Sequence, residues 1–397
     1  MVQANRWLLP EGIEELLPEH AALIEMWRRQ LLDIYFSWGY ELVFPPLVEY
    51  LDSLLIGVGY DLDLKTIKII DQETGRLLGI RADITPQVAR IDAHRLNHSG
   101  PTRLCYIGNV LLAHCDGLSR TRSPLQIGAE IYGHAGIESD FEVVRLMVAS
   151  LKAVGVTDIH LDFGHVGIFR GIAQCADINA EQERHLFAAL QRKDQQQIED
   201  DLDQFNVNKK FRQLFVELSG LHGGKEVLQE AKRIFNKAHG SILDALQELE
   251  QLINLTERFL DGVKLHFDLG ELRGYNYHTG LVFAAFTPGF GQEIAKGGRY
   301  DNIGKVFGRG RPATGFSTDL KTLLSLSSAK YTSGKAILAP AFLDPALEPL
   351  IETLRAQGEQ VIYALPGHHE ATQNQGCDRM LEKQGKDWKI VTIEKSP

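Results

Sequence analysis

Four cysteines in 397 residues, Cys105, Cys115, Cys175 and Cys377, are too few and too irregularly spaced for a zinc ribbon or a disulfide scaffold, so they read as reduced thiols. No apolar run approaches the roughly 20 residues of a membrane-spanning helix, and no membrane partner is expected. The opening Met1-Val2-Gln3-Ala4-Asn5-Arg6-Trp7 lacks the charged-then-apolar order of a secretory signal. A soluble, cytoplasmic protein is expected. Basic residues are not in excess: 42 Lys and Arg face 52 Asp and Glu, a net charge of −10, which argues against a broad grip on a polyanion. No internal repeat is present. His114, Cys115 and Asp116 are adjacent, but neighbouring residues on a strand or turn point different ways, so no metal is expected there and no cofactor is implied.

What is present is ordinary globular composition, 44% hydrophobic and 24% charged, over a length sufficient for two or three domains. Between Ala21 and Phe36, Ile24, Trp27, Leu31, Ile34 and Tyr35 fall on one side at helical spacing, which predicts a long amphipathic helix ended by Gly39. Tyr40 to Glu49 reads as one extended strand, its paired prolines suited to an edge or interface. Strands are expected at Ile67–Asp71, Leu78–Arg81, Leu104–Gly108, Ile127–Tyr132 and Ile159–Gly164, with helices from about Pro86 to Leu96 and Phe141 to Val154. Residues 174–262 turn rich in Gln, Glu, Lys and Leu, and Ile242, Leu246, Leu249 and Ile253 form an apolar stripe, so a helical insertion interrupts the sheet. Ser325 to Gly334 is small and polar, a linker by composition. Beyond it, Ala336–Ala339, a helix from about Pro345 to Gln357, and Val361–Ala364 make a small β-α-β unit completed by Lys389–Ile393. Gly367-His368-His369 reads as an exposed turn.

Two segments stand out, Asp268-Leu269-Gly270-Glu271-Leu272-Arg273-Gly274-Tyr275-Asn276-Tyr277-His278-Thr279-Gly280 and Lys296-Gly297-Gly298-Arg299-Tyr300-Asp301. Glycines break strand-like sequence and let a small ligand approach, with Arg273 placed to hold an anionic end. Both segments are aromatic and both carry arginine, which describes a pocket better than two solvated hairpins.

These segments, in this order, resemble the catalytic core of class II histidyl-tRNA synthetases. Gly39-Tyr40 through Glu49 resembles the first, dimer-forming motif, Arg81-Ala82-Asp83-Ile84-Thr85 an amino-acid-binding loop, and Tyr106 through Glu130 the second motif. The two segments above are similar to the histidine-specific motifs, and Gly315-Phe316-Ser317 begins the third class motif. The resemblance spans about residues 8 to 325 and includes the helical insertion. It implies an α+β fold: an antiparallel sheet core over residues 1–325, a helical insertion at about 174–262, and a small C-terminal α/β domain at 335–397. It also implies a histidine pocket in which Asp83 and Thr85 hold the α-amino group, Gln126 and Arg273 the carboxylate region, and Glu130, Tyr277 and His278 surround the imidazole. Asp83 is shorter than the family's glutamate, and His278 replaces a tyrosine.

The departures decide the expected function. The synthetase family carries an arginine in the second motif for the ATP α-phosphate and another in the third motif; Leu112 and Thr322 occupy those positions here, with His114 where an acid is expected and Lys321 before Thr322. Removing one such electrostatic donor costs about 10² to 10³ in rate, so loss of two predicts loss of adenylation. Arg120, Arg122 and Lys321 remain nearby as possible anion binders. The C-terminal stretch 335–397 has seven Lys or Arg against nine Asp or Glu, which disfavours a tRNA-binding role. Leu365-Pro366-Gly367 through Gly376-Cys377-Asp378-Arg379 and Trp388 instead resembles the regulatory subunit family of ATP phosphoribosyltransferase, a resemblance covering essentially the whole chain. It implies a non-catalytic subunit of the first step of histidine biosynthesis. Such a subunit pairs with the short catalytic subunit, self-associates as a synthetase-like dimer, and mediates feedback by histidine. An active histidine-tRNA ligase and a stand-alone histidine sensor are the competing readings.

Overall fold

The computed structural model describes residues 7–56, 60–115, 121–236, 240–272, 274–275, 277–329, 335–341, 344–365 and 376–393. The chain divides into two compact units, Met1–Ala329 and Lys330–Pro397.

The first unit is built on a sheet of nine strands among the described residues, in the order Glu41–Val43, Thr102–Asn109, Leu125–Tyr132, Ala313–Asp319, Ala295–Arg299, Leu281–Phe286, His160–His165, Lys264–Asp268, His222–Gly223. Neighbours run antiparallel except for the first pair and the pair His160–His165 with Lys264–Asp268. Alternation of side chains along each strand gives this sheet two different faces. Ile127, Ala129 and Ile131 point to one face, where they join the core formed with the helices Pro18–Ser37 and Ile137–Ala153. The expected stripe of the first helix is the one that packs: Ile24, Trp27, Leu31 and Tyr35 are buried. Gln126, Gly128 and Glu130 alternate with them and point to the other face, which carries the site described below.

The expected single strand at Tyr40–Glu49 is two. Glu41–Val43 joins the large sheet, and Val48–Tyr50 joins a separate three-stranded sheet with Leu77–Ile80 and Ile67–Ile70. Pro45 and Pro46 have no N–H to donate, so pairing stops there and the chain changes sheets. The carbonyl of Pro45 is instead held by the buried Arg81 (Nη1 to O, 2.7 Å), whose Nε also donates to the carbonyl of Asn109 at 2.9 Å. The helix expected at Pro86–Leu96 starts at Thr85 and continues from Ile91 as a π-helical turn ending at Leu96.

The insertion is a set of helices, Ala180–Gln191, Gln195–Gln204, Lys209–Gly220, Glu226–Ile234 and Gly240–Phe259. Ile242, Leu246, Leu249 and Ile253 are buried as their spacing predicted. The insertion is not wholly helical: His222–Gly223 adds an edge strand to the main sheet.

The second unit has a four-stranded sheet in the order Val361–Tyr363, Ala336–Ala339, Cys377–Gln384, Asp387–Thr392, with the helix Glu348–Ala356. The strand Cys377–Gln384 was not anticipated, because its charged residues hide a two-sided pattern. The signal was in the turn: Gly385 and Lys386 join Gln384 to its partner Asp387, and Gly385 takes φ +68°, the conformation that a two-residue hairpin demands. Gly367-His368-His369 lies outside the described residues.

Candidate functional site

Strand register explains why a cavity opens on the polar face of the sheet. Leu104, Glu130, Gly315, Gly298, Val282 and Gly164 face one another across six consecutive strands. Three glycines in that row leave the sheet surface without side chains beside a standing glutamate. A Cβ at Gly315 would collide with the Glu130 carboxylate, and one at Gly298 would lie 2.7 Å from the His278 ring. The result is a cavity of about 720 Å³ lined by Asp83, Thr85, Gln126, Glu130, Tyr277 and His278. Six of the seven residues expected to contact histidine therefore meet in one place. Arg273 lies outside the described residues.

Each arrives on a different element. Asp83 and Thr85 follow the strand Leu77–Ile80 and start the helix Thr85–Arg90. Asp83 is fixed from two sides, accepting from Gln126 Nε2 at 2.8 Å and from the Thr85 N–H at 3.1 Å, while Gln126 Oε1 accepts from the Ile84 N–H at 3.0 Å. Glu130, 1% exposed, accepts from Thr85 Oγ1 and Tyr106 at 3.0 Å each on Oε1, and from Tyr300 on Oε2. Burial pushes its carboxyl up to about 8; the bonds from Tyr300, Thr85 and Tyr106 pull the other way, and the charge of Asp83 adds to the rise. Tyr277 follows Gly274, which takes φ +63°, and packs against Tyr300 with ring centroids 5.0 Å apart. Its buried hydroxyl has no hydrogen-bond partner among the described residues, an opening for a polar ligand atom.

Tyr106 and Tyr300, motif residues without an expected role, both donate to Glu130. Period-two counting finds the first, since Tyr106 pairs with Gly128 and so shares the face of Glu130. The same counting corrects Arg299. It lies on the helix-covered face, not the pocket, where its Nη2 meets Asp140 at 2.7 Å and the carbonyls of His134 and Gly136 accept from it. Its partner in the sequence pattern, Tyr300, turns the other way.

The lining of the cavity also includes Leu62, Leu112, Pro124, Phe290 and Thr322. Leu112 brings no charge, and Thr322 is spent on a helix cap, its N–H and Oγ1 donating to Asp319 Oδ2 at 3.1 and 2.7 Å. Of the neighbouring cations named in the sequence, Arg122 Nε donates to the Leu112 carbonyl at 2.9 Å and Lys321 Nζ to Ser123 Oγ at 3.0 Å, while Lys65 and Lys296 also line the cavity, Lys296 paired with Glu293 at 3.0 Å. Arg120 lies outside the described residues. A cavity with fixed acceptors at Asp83, Gln126 and Glu130 thus has Leu112 and Thr322 at the two positions where the synthetase motifs carry arginines.

A histidyl-tRNA synthetase family model matches residues 12–323, and a model of the ATP phosphoribosyltransferase subunit HisZ C-terminal domain matches residues 334–391. ATP phosphoribosyltransferase regulatory subunits from Alkalilimnicola ehrlichii and Nitrosococcus oceani are 54% and 53% identical; the alignments cover 96% and 98% of this chain and 95% and 98% of those. The chain belongs to the ATP phosphoribosyltransferase regulatory subunit family. Within solved structures, a Bacillus halodurans protein described as an ATP phosphoribosyltransferase regulatory subunit/histidyl-tRNA synthetase superposes with a TM-score of 0.80 at 25% identity, over 93% of this chain and 96% of that one. Histidyl-tRNA synthetase from Nostoc superposes with a TM-score of 0.76 at 19% identity, over 97% of each chain, and shares the fold. This regulatory-subunit family therefore combines a synthetase-like core with a C-terminal unit of its own.

Proposed function

We propose that the chain is the non-catalytic regulatory subunit of an ATP phosphoribosyltransferase, required by a short catalytic subunit in the first step of histidine biosynthesis and responsive to free histidine. One contrast within the cavity carries this reading. Asp83, Gln126 and Glu130 form a built, hydrogen-bonded group, while the same cavity is lined by an uncharged Leu112 and a capped Thr322. Histidine fits the built group by charge and geometry: Asp83 for the ammonium, Gln126 and, by resemblance, Arg273 for the carboxylate region, and Glu130, Tyr277 and His278 around the ring. A ligand shifts a quaternary equilibrium only by its differential affinity for the states, so histidine inhibits by binding one assembly state better.

Self-association as a synthetase-like dimer is part of the proposal. Its support is a set of exposed large apolar side chains on the three-stranded sheet and its approach, Phe44, Leu47, Ile69, Ile70 and Leu77. The excess of acid in 335–397 supports a role without tRNA. Among the described residues no helix is long and apolar enough to cross a membrane.

The test is reconstitution. Transferase activity of the short catalytic subunit should depend on adding this chain and fall with histidine, and the chain alone should give no histidine-dependent pyrophosphate exchange. Robust exchange would establish a histidine-tRNA ligase and overturn the reading; activity of the catalytic subunit unaffected by this chain would do the same.

A further inference from the structure

The loop that delivers Tyr277 and His278 is anchored to the helical insertion before it reaches the cavity. The buried Asp268, which ends the strand leading into it, receives Lys193 Nζ at 2.6 Å, and the Leu269 N–H donates to the carbonyl of Leu221 at 3.0 Å. Two residues before Tyr277, Tyr275 is almost wholly enclosed. Its ring lies against Phe187 and Phe169, with centroids at 5.1 and 5.3 Å, and the Arg170 guanidinium sits 4.5 Å from its centre. Arg170 Nη2 also donates to the Tyr275 carbonyl at 2.7 Å, and the Tyr275 hydroxyl donates to Glu183 on the insertion helix Ala180–Gln191. That helix ends at Gln191, itself in the cavity lining.

None of these side chains belongs to the set that surrounds histidine. We propose that Tyr275 is a positioning residue for the ligand site, and that Glu183 and Arg170 clamp it so that the helical insertion sets where Tyr277 and His278 stand. Gly274 explains why a clamp is needed. At φ +63° it starts a tight turn in which the N–H groups of Tyr277 and His278 both donate to its carbonyl, at 2.7 and 2.8 Å, so a shift of the turn at Tyr275 is passed to Tyr277 and His278. The physical consequence is reciprocal: whatever moves the insertion alters ligand affinity, and an occupied pocket stiffens the insertion. Ligand coupling thereby runs through an element that makes no adenylate and, in this chain, has no synthetase reaction to serve.

The inference rests on the proposed histidine site, and its test separates the two. Histidine is titrated calorimetrically into the full-length chain and into Tyr275→Phe, Glu183→Ala, Glu183→Gln and the double variant Tyr275→Phe with Glu183→Ala, with hydrogen exchange followed over 268–280. Loss of the hydroxyl-to-carboxylate bond should weaken binding roughly fivefold or more. Glu183→Gln, which keeps an acceptor, should recover most of that loss. The double variant should be no weaker than the worse single one, because both changes break the same contact. Exchange over 268–280 should quicken in Tyr275→Phe and not in Lys232→Ala, a surface change elsewhere in the insertion. Wild-type affinity in Tyr275→Phe and Glu183→Ala, or losses that multiply in the double variant, would overturn the clamp. If the wild-type chain takes up no histidine, the ligand assignment falls, and unchanged exchange in Tyr275→Phe then overturns the clamp by itself.

Discussion

Glu130 is the residue on which the site depends most, because a carboxyl 1% exposed has no water to carry its charge. Its native pKa of about 8 lies above the ordinary 4.5, so between these values the native state keeps a proton that the unfolded state gives up. Stability from this group is complete below the lower value and is lost as pH rises through the upper one. Glu130→Gln removes the titration: chemical denaturation should show the variant gaining on wild type from about pH 5 to about pH 8. A constant difference across that range would show that Glu130 titrates normally. Asp83, Thr85, Gln126 and Glu130 were legible in the sequence because they sit in short motifs of distinctive order. The roles of Tyr106 and Tyr300 do not show in the sequence, since a donor to a buried acid is recognised only when the strand register is known.

At the scale of the element, a strand with two unlike faces explains how Arg299 and Tyr300, adjacent in sequence, do unrelated things. Arg299 and Asp140, with side chains 6% and 2% exposed, tie the strand Ala295–Arg299 to the helix Ile137–Ala153. Asp140→Ala would leave the guanidinium buried with the more distant Asp301, at 3.4 Å, as its counter-charge and should cost about 3–5 kcal/mol, read as a drop in the denaturation midpoint. The remaining bonds of Arg299 to the carbonyls of His134 and Gly136 favour the low end of that range. A loss within experimental error would mean that these carbonyls suffice. Helices with regular apolar stripes, Pro18–Ser37 and Gly240–Phe259, followed from spacing alone. The break at Pro45-Pro46 and the strand Cys377–Gln384 did not, one because a β-rich run continued through the prolines, the other because exposed strands in a small unit need little apolar alternation.

For the whole molecule, the exposed residues of the split strand region gain a purpose if two copies pair there. Phe44 is 71% and Ile70 67% exposed, which is unfavourable for side chains of that size unless another surface covers them. Replacing both with aspartate should convert a dimer to a monomer in sedimentation while leaving the chain folded by circular dichroism, and should abolish activation of the catalytic subunit. A wild-type chain that sediments as a monomer would remove the dimer from the proposal.

The order of motifs along the chain by itself determined the family and the fold class, and Leu112 and Thr322 marked the missing phosphate contacts, because such losses are changes of residue type at positions defined by their neighbours. Tertiary structure alone decided which side chains share a surface. Register put Gly315 beside Glu130, turned Arg299 into the core, and brought Glu183 from the insertion onto Tyr275, more than ninety residues further along the chain. Contacts of that kind depend on how strands and helices align across long sequence separations, and neither composition nor periodicity records that alignment.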